Sequence, residues 1–195
     1  MYEIILYGRG GQGVVSAGEI LGKAAVMDGK WAHSLPFYGT ERTSSPVRSY
    51  VRIDEIPISM KSYIYNPDAV ILFDPTLLGE LINVVDGIKR GGILLINCKN
   101  RIEMTEKISS AQIYYVDAID IALKILGRPL ISMIMLGAFL KTKEVVKPDS
   151  IKKVIMEEFS GEIAKKNVEA VDVAFNDVKR ETCRNKNVVG RENDR

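Results

Sequence analysis

The chain opens on a short apolar run, followed by a glycine-rich stretch and then by apolar positions at helical spacing. The run Glu3–Tyr7 predicts a buried strand, and Gly8–Gly13 predicts a tight loop after it. A second strand, Trp31–Leu35, would complete a β-loop-α-β unit. The helix between them is predicted to end at Gly29, and its apolar positions are Val14, Val15, Ala17, Ile20, Leu21, Ala24 and Ala25.

The middle of the chain predicts further strands of two kinds. Val47–Ile53 alternates between apolar and polar residues, which is typical of a strand with one solvent face and is compatible with antiparallel pairing. The continuous apolar runs Ala69–Phe73 and Ile93–Ile96 are typical of strands covered on both faces. Between them, Thr76–Lys89 predicts a helix, and Pro36–Gly39 earlier in the chain predicts a turn.

The last third of the chain is predicted to be mostly helical. A short strand at Ile113–Val116 is followed by a helix, and Leu130–Leu140 predicts a buried helix that is too short to cross a bilayer. Pro148 to Ser150 predicts the capped start of another helix, and a longer one follows Gly161. Strands that alternate with helices predict an α/β fold, a three-layer sandwich with a mostly parallel, Rossmann-like sheet.

Length and composition fit one globular domain. The 195 residues are enough for a single core, and we assign 1–179 to the domain and 180–195 to a polar, frayed C-terminal tail. A net charge of +2 without a basic stripe interleaved with aromatic residues argues against a nucleic-acid partner. Two distant cysteines, Cys98 and Cys183, and a start without signal-peptide character predict a cytoplasmic protein that does not enter a membrane.

The glycine-rich loop is the strongest chemical signal. Gly8, Gly10 and Gly13 follow a strand and open a helix, where backbone N–H groups and the helix dipole favour an anion. Arg9 could add a charge-assisted hydrogen bond to a phosphate. A dinucleotide fingerprint also requires an acidic residue at the end of the second strand, and Trp31–Leu35 has none. The loop could bind a phosphate, or its glycines could serve strand–helix packing alone.

A second polar loop follows the second strand, and it leaves two interpretations open. Its hydroxyl, arginine and tyrosine side chains suit a polar ligand or a partner chain, yet an ordinary surface loop would have the same composition. Sheets of this class bind ligands beside the carboxyl ends of their strands, where this loop would lie next to the first. If the loop faces a partner chain, the residues involved are Tyr38, Gly39, Glu41, Arg42 and Ser44.

Other titratable residues give no catalytic site. His33 is the single histidine and is interpreted as structural, because no serine or cysteine nucleophile motif accompanies it. Asp74 follows a buried strand, but the adjacent Pro75 favours a role in a turn or at a helix start. Without a paired-cysteine motif the chain cannot hold an iron–sulfur cluster alone, and no metal site is predicted.

Three segments together resemble one family. Tyr7–Val15, Pro36–Arg42 and Arg52–Asp54 are similar to the gamma subunit of pyruvate and related 2-oxoacid:ferredoxin oxidoreductases, and the likeness extends over residues 2–178. The resemblance implies a complex that converts a 2-oxoacid, pyruvate or a branched-chain one, and coenzyme A to acyl-CoA, CO2 and reduced ferredoxin. The isolated chain would then be inactive. Thr43, Ser44 and Ser45 depart from the family's usual basic residue and glycine or alanine.

The resemblance also implies how the work is divided. Thiamine diphosphate, Mg²⁺ and [4Fe–4S] clusters would belong to alpha, beta and delta-type partner subunits, and ferredoxin would be met through the complex. The gamma chain would support assembly and help bind coenzyme A. Its loop would meet a phosphate of that ligand through Gly8, Arg9, Gly10, Gly11, Gln12 and Gly13.

Overall fold

The computed structural model describes residues 1–38, 45–78, 85–99 and 111–180. They form a seven-stranded mixed sheet with helices against it, which confirms the predicted α/β class. The strands are β1 Tyr2–Arg9, β2 Trp31–Tyr38, β3 Pro46–Asp54, β4 Ala69–Leu72, β5 Ile93–Asn97, β6 Gln112–Val116 and β7 Lys179–Arg180. The helices in the described ranges are α1 Val14–Met27, α2 Ala118–Leu126, α3 Ser132–Thr142, α4 Pro148–Glu158 and α5 Gly161–Asp177.

The sheet is parallel at its centre and antiparallel at both sides. Its order is β2-β3-β1-β4-β5-β6-β7, with parallel pairing from β1 through β6 by way of β4 and β5. β3 lies between β2 and β1 and is antiparallel to both. β2 is therefore parallel to β1 without touching it, and the carboxyl ends of both strands lie at the same edge of the sheet. This edge carries the glycine loop.

Each face of the sheet covers an apolar core, because successive side chains of a strand point to opposite faces. Ile4 and Leu6 of β1 belong to the core beneath the helices, whereas Ile5 and Tyr7 belong to the core on the other face. In the described ranges, the second face is covered by irregular chain and a short 3-10 turn, Pro75–Leu77. The sheet is thus the middle of three layers.

The predicted turn at Pro36–Gly39 is wrong over its first three residues, which continue β2 to Tyr38. β2 is the edge strand and pairs only with β3 among the described strands. A proline destabilises an edge strand little, because its missing N–H does not remove a hydrogen bond between central strands.

The helix predicted over Thr76–Lys89 is wrong at its carboxyl end. Residues 85–87 form a turn, and Gly87 adopts a φ of 79°. A side chain there would also place its Cβ 2.0 Å from the backbone oxygen of Tyr65. At the other end the described residues form the 3-10 turn, and 79–84 lie outside the described residues.

The C-terminal third agrees with the sequence, except in how one helix begins. The apolar run becomes α3, which is buried over nearly its whole length. α4 starts at the predicted residue, but its N-cap is Lys147, whose own side chain makes no capping hydrogen bond. Arg180, assigned to the tail, ends β7; the tail from 181 onward lies outside the described residues, so its frayed state stays a prediction. No helix in the described ranges combines the length and apolar character needed to span a membrane.

Candidate phosphate-binding loop

The loop between β1 and α1 is a tight turn that passes directly into the helix. The N–H of Gln12 donates to the oxygen of Arg9 at 3.1 Å, and Gly11, third in this turn, has a φ of 94°. A β-turn with a positive φ at its third residue favours glycine strongly. Gly13 follows with a φ of 76° as the N-cap of α1, and its oxygen accepts the first helical hydrogen bond from Ala17 at 2.9 Å.

The glycines of this loop differ in what surrounds them. A Cβ on Gly8 would lie 2.6 Å from Val14 Cγ2 and 2.9 Å from Phe73 Cβ, so Gly8 permits close packing of strand and helix. A Cβ on Gly13 would lie 2.8 Å from Cβ of Ser132. At Gly11 a Cβ would meet no atom of the described residues within 4 Å. Packing against described residues therefore explains two of the glycines but not Gly11.

Two helix N-termini meet at this loop. Ser132 is the first residue of α3, and its contact with Gly13 brings the start of α3 to the start of α1. Neither helix has a side-chain cap in the described residues. Because the first N–H groups of a helix lack intrahelical acceptors and carry the positive end of its dipole, their convergence favours a bound anion. Sequence analysis missed Ser132, although a serine beginning an apolar helix is a recognisable helix-start signal.

Arg9 and Gln12, predicted to lie nearest the ligand, are brought together by Asp74. Nε of Arg9 donates to Oδ2 of Asp74 at 3.0 Å, and Nε2 of Gln12 donates to the same oxygen at 3.4 Å. Oε1 of Gln12 accepts the backbone N–H of Arg9 at 2.8 Å. The structure therefore places the two predicted side chains side by side at the loop, linked through one carboxylate.

Asp74 serves as the N-cap of the 3-10 turn, one of the two roles that Pro75 favoured. Its Oδ1 accepts the backbone N–H of Thr76 at 3.0 Å and the Thr76 hydroxyl at 2.7 Å. Partial burial raises the pKa of Asp74, but the hydrogen bonds from Thr76 and the charge of Arg9 outweigh it and hold the pKa below its ordinary value. Asp74 is a carboxylate at neutral pH and is unsuited to act as a general acid.

The second polar loop leaves β2 at the same edge of the sheet. The N–H of Gly10 donates to the oxygen of Ser45 at 3.0 Å, so the described end of this loop touches the glycine loop. Tyr38 ends β2. Gly39, Glu41, Arg42 and Ser44 lie outside the described residues, and their partner-facing role stays a prediction.

The strand order separates this loop from a dinucleotide site. In a dinucleotide-binding fold the second strand lies beside the first and ends in the acidic residue that binds the ribose. Here β3 lies between β1 and β2, and β2 contains no Asp or Glu. Both observations disfavour NAD at this loop.

His33 lies on β2 opposite Arg52 of β3, away from the loop, and its Nδ1 is buried without a hydrogen-bond partner in the part of the chain that the structure describes. Among the described residues, no group of three or more His, Cys, Asp or Glu side chains could hold a metal ion. This edge of the sheet brings together the starts of α1 and α3, the Ser132 side chain and Arg9.

Comparison with known proteins identifies the family. A family model described as pyruvate ferredoxin/flavodoxin oxidoreductase matches residues 3–176. The pyruvate/ketoisovalerate oxidoreductases common subunit gamma of Thermococcus litoralis is 44% identical over 178 residues, 90% of this chain and 96% of that protein. Pyruvate synthase subunit PorC of Methanocaldococcus jannaschii is 43% identical over 179 residues, 91% of this chain and 97% of that protein.

The fold agrees with a solved structure. The crystal structure of pyruvate oxidoreductase subunit PORC from Thermotoga maritima matches with a TM-score of 0.80 and 33% identity, covering 93% of this chain and 98% of that chain. Family model, relatives and solved structure all cover nearly the whole domain, glycine loop included. The chain therefore belongs to the pyruvate ferredoxin/flavodoxin oxidoreductase family, among its gamma-type subunits, as the resemblance of its motifs indicated.

Proposed function

We propose that this chain is the gamma subunit of a cytoplasmic 2-oxoacid:ferredoxin oxidoreductase. The assembled enzyme converts a 2-oxoacid, pyruvate or a branched-chain one, and coenzyme A to acyl-CoA and CO2, and it reduces ferredoxin. Family membership over residues 3–176 and relatives named as subunits of pyruvate and ketoisovalerate oxidoreductases support the assignment. Partner subunits of alpha, beta and delta type carry thiamine diphosphate, Mg²⁺ and [4Fe–4S] clusters, and this chain supports their assembly.

Within that enzyme, the glycine loop holds a phosphate of coenzyme A. The observation that carries this proposal is Gly11, where a Cβ at the start of α1 would meet no atom of the described residues within 4 Å. The Ser132 hydroxyl and the N-terminus of α3 lie against the same loop at Gly13. The positive ends of two helix dipoles, the first N–H groups of these helices and Arg9 together favour a polyanionic group such as a nucleotide phosphate.

Gly11 allows a test in which charge alone differs between two variants. Gly11→Asp and Gly11→Asn place side chains of one shape at the same position and impose the same backbone strain at a φ of 94°. If a phosphate binds there, the added carboxylate repels it and raises the KM for coenzyme A about tenfold relative to Gly11→Asn. Steady-state assays of the assembled oxidoreductase at constant ionic strength measure this ratio.

Gly91→Asp is the matched control. Gly91 also has a positive φ, 76°, and no described atom within 4 Å of a Cβ placed there, but it lies before β5 at the opposite edge of the sheet. This variant carries the same charge and strain and should leave the KM for coenzyme A unchanged. Equal KM values for Gly11→Asp and Gly11→Asn would contradict phosphate binding by the loop.

A second candidate function is a scaffold that binds no ligand. The close contacts of Gly8 with Val14 and Phe73, and of Gly13 with Ser132, favour it, because they give those glycines a packing role. A scaffold predicts that loop variants reduce complex yield while the KM for coenzyme A stays constant. The Gly11 pair separates the two candidates, because a Cβ on Gly11 would make no such contact with the residues that the structure describes.

A further inference from the structure

We propose that Asp74 is a positioning residue for coenzyme A binding, acting on the ligand through Arg9 and Gln12. This inference rests on the proposed function of the glycine loop and assigns that loop a new member. Asp74 lies 62 and 65 positions from the two residues it holds, so sequence spacing does not reveal the connection.

The backbone around Asp74 is fixed from two sides. The N–H of Phe73 donates to the oxygen of Tyr7 in β1 at 2.8 Å, which continues the parallel pairing of β1 and β4. The oxygen of Phe73 accepts Nδ2 of Asn97 at 2.9 Å, and Asn97 is buried and tied in turn to the first N–H of α2. Asp74 therefore leaves the sheet in a defined direction, directly beside Arg9.

Its carboxylate then determines the plane of the Arg9 guanidinium. Oδ2 of Asp74 accepts Nε of Arg9, and Oγ1 of Thr76 accepts Nη2 of Arg9 at 2.9 Å. The Thr76 hydroxyl is itself oriented, because it donates to Oδ1 of Asp74. Fixing two nitrogens of a planar guanidinium fixes the whole group. Arg9 is thus pre-oriented at the loop, and the ligand does not have to order a long flexible side chain.

Gln12 closes the network. Its Oε1 accepts the backbone N–H of Arg9, and its Nε2 donates to Oδ2 of Asp74. Gln12 and Arg9 therefore donate to the same carboxylate oxygen. Gly8 makes room for it, since a Cβ there would lie 2.8 Å from Oε1 of Gln12. A simple N-cap would need only one carboxylate oxygen, whereas both oxygens of Asp74 are engaged, one towards Thr76 and one towards the loop.

Asp74→Asn separates the two roles of this residue. The amide oxygen still accepts from Thr76 and preserves the cap, but an amide NH2 then faces the donors on Arg9 and Gln12. We expect the KM for coenzyme A of the assembled oxidoreductase to rise about tenfold, as when one charge-assisted hydrogen bond is no longer pre-formed. The kcat at saturating coenzyme A and the unfolding temperature of the complex should change little.

Asp117→Asn is the matched control, because Asp117 caps α2 at the same edge of the sheet by accepting the N–H of Asp120 at 3.1 Å. It should leave the KM unchanged. Thr76→Val keeps the charge of Asp74 and removes one contact to Arg9, so it should raise the KM less and provides a test if Asp74→Asn fails to assemble.

The outcomes separate this inference from the proposed function. If Arg9→Ala raises the KM while Asp74→Asn and Thr76→Val do not, the loop binds coenzyme A and the positioning role is wrong. An effect of Asp74→Asn on unfolding temperature alone would show that the contacts of Asp74 with Arg9 and Gln12 serve stability only, and would also overturn the inference. If neither Arg9→Ala nor Gly11→Asp changes the KM, the proposed function itself fails.

Discussion

At the residue scale, Asp28 holds the start of α4, although it is distant in sequence from that helix. The sequence pattern had indicated residues of α4 itself. Asp28 follows α1, and its carboxylate accepts the N–H of Lys147 at 2.6 Å and the hydroxyl of Ser150 at 2.5 Å. It thereby fastens the start of α4 to the end of α1. The sequence interpretation gave this role to Pro148–Ser150 itself, where Asp149 is in fact exposed and pairs only loosely with Lys152, at 4.0 Å.

We expect Asp28→Ala to destabilise the chain by about 1–3 kcal/mol, because it leaves the N–H of Lys147 and the Ser150 hydroxyl without their acceptor. Asp149→Ala is the control on the same helix and should cost under about 1 kcal/mol, as expected for an exposed charge. Urea unfolding of both variants measures the difference. If Asp149→Ala destabilised the chain more than Asp28→Ala, Asp149 and not Asp28 would be the residue that stabilises the start of α4.

At the element scale, the sequence predicts which segments form strands and helices better than where they end. Ile93–Asn97 and α3 were recognisable because long apolar runs have few alternatives to burial. The end of β2 was missed because proline and glycine normally indicate turns, and only the position of β2 at the sheet edge makes Pro36 tolerable.

The candidate site shows the same limit. Its glycine loop follows from local spacing, whereas Asp74, Thr76 and Ser132 arrive from elements more than sixty residues away. Their contribution depends on strand order and helix packing, which no local pattern contains. The position of β3 between β1 and β2 could not be predicted either. The sequence indicated that β3 could pair in an antiparallel manner, but not which strands it would pair with.

Packing of α3 against α5 gives a prediction at this scale. A Cβ on Gly137 would lie 2.4 Å from the oxygen and 2.8 Å from Cα of Val171, so the two helices touch through a position that only glycine fits. Gly137→Ala should therefore force the helices apart and cost about 1–3 kcal/mol or more. Thermal unfolding of the purified chain reports this as a lowered transition temperature.

Gly22 in α1 supplies the opposite case. A Cβ there would meet its nearest atoms, Cβ of Ala32 and of Ser34, at 3.9 Å, which is ordinary contact. Gly22→Ala should stabilise the chain by about 0.5–1 kcal/mol, because alanine loses less backbone entropy in a helix. If Gly137→Ala and Gly22→Ala destabilised the chain to the same degree, the contact between α3 and α5 at Gly137 would not be the cause of the lost stability.

At the scale of the whole molecule, the surface fits a protein that works within an assembly. Large apolar side chains are exposed along the segment between β3 and β4, where Ile56 is 65% and Tyr65 is 74% accessible, along with Met60 and Tyr63. Apolar surface of this kind commonly marks contact with other chains. At the glycine loop, the Asp74 carboxylate orients Arg9 and Gln12, and its pKa lies below the ordinary value, which does not suit a general acid.

The isolated chain should therefore show no oxidoreductase turnover with pyruvate, a branched-chain 2-oxoacid or 2-oxoglutarate, even with coenzyme A and ferredoxin supplied. Purification from the native source through a tag on this chain should instead recover partner chains together with thiamine diphosphate and iron–sulfur absorbance, and that preparation should reduce ferredoxin. Turnover by the single chain, freed of all partners, would contradict the subunit assignment. Recovery of a colourless monomer that binds NAD(H) would also contradict it, since it would favour a freestanding nucleotide-binding protein. We do not expect NAD(H) binding, because β2 lacks the acidic residue that a nicotinamide dinucleotide requires.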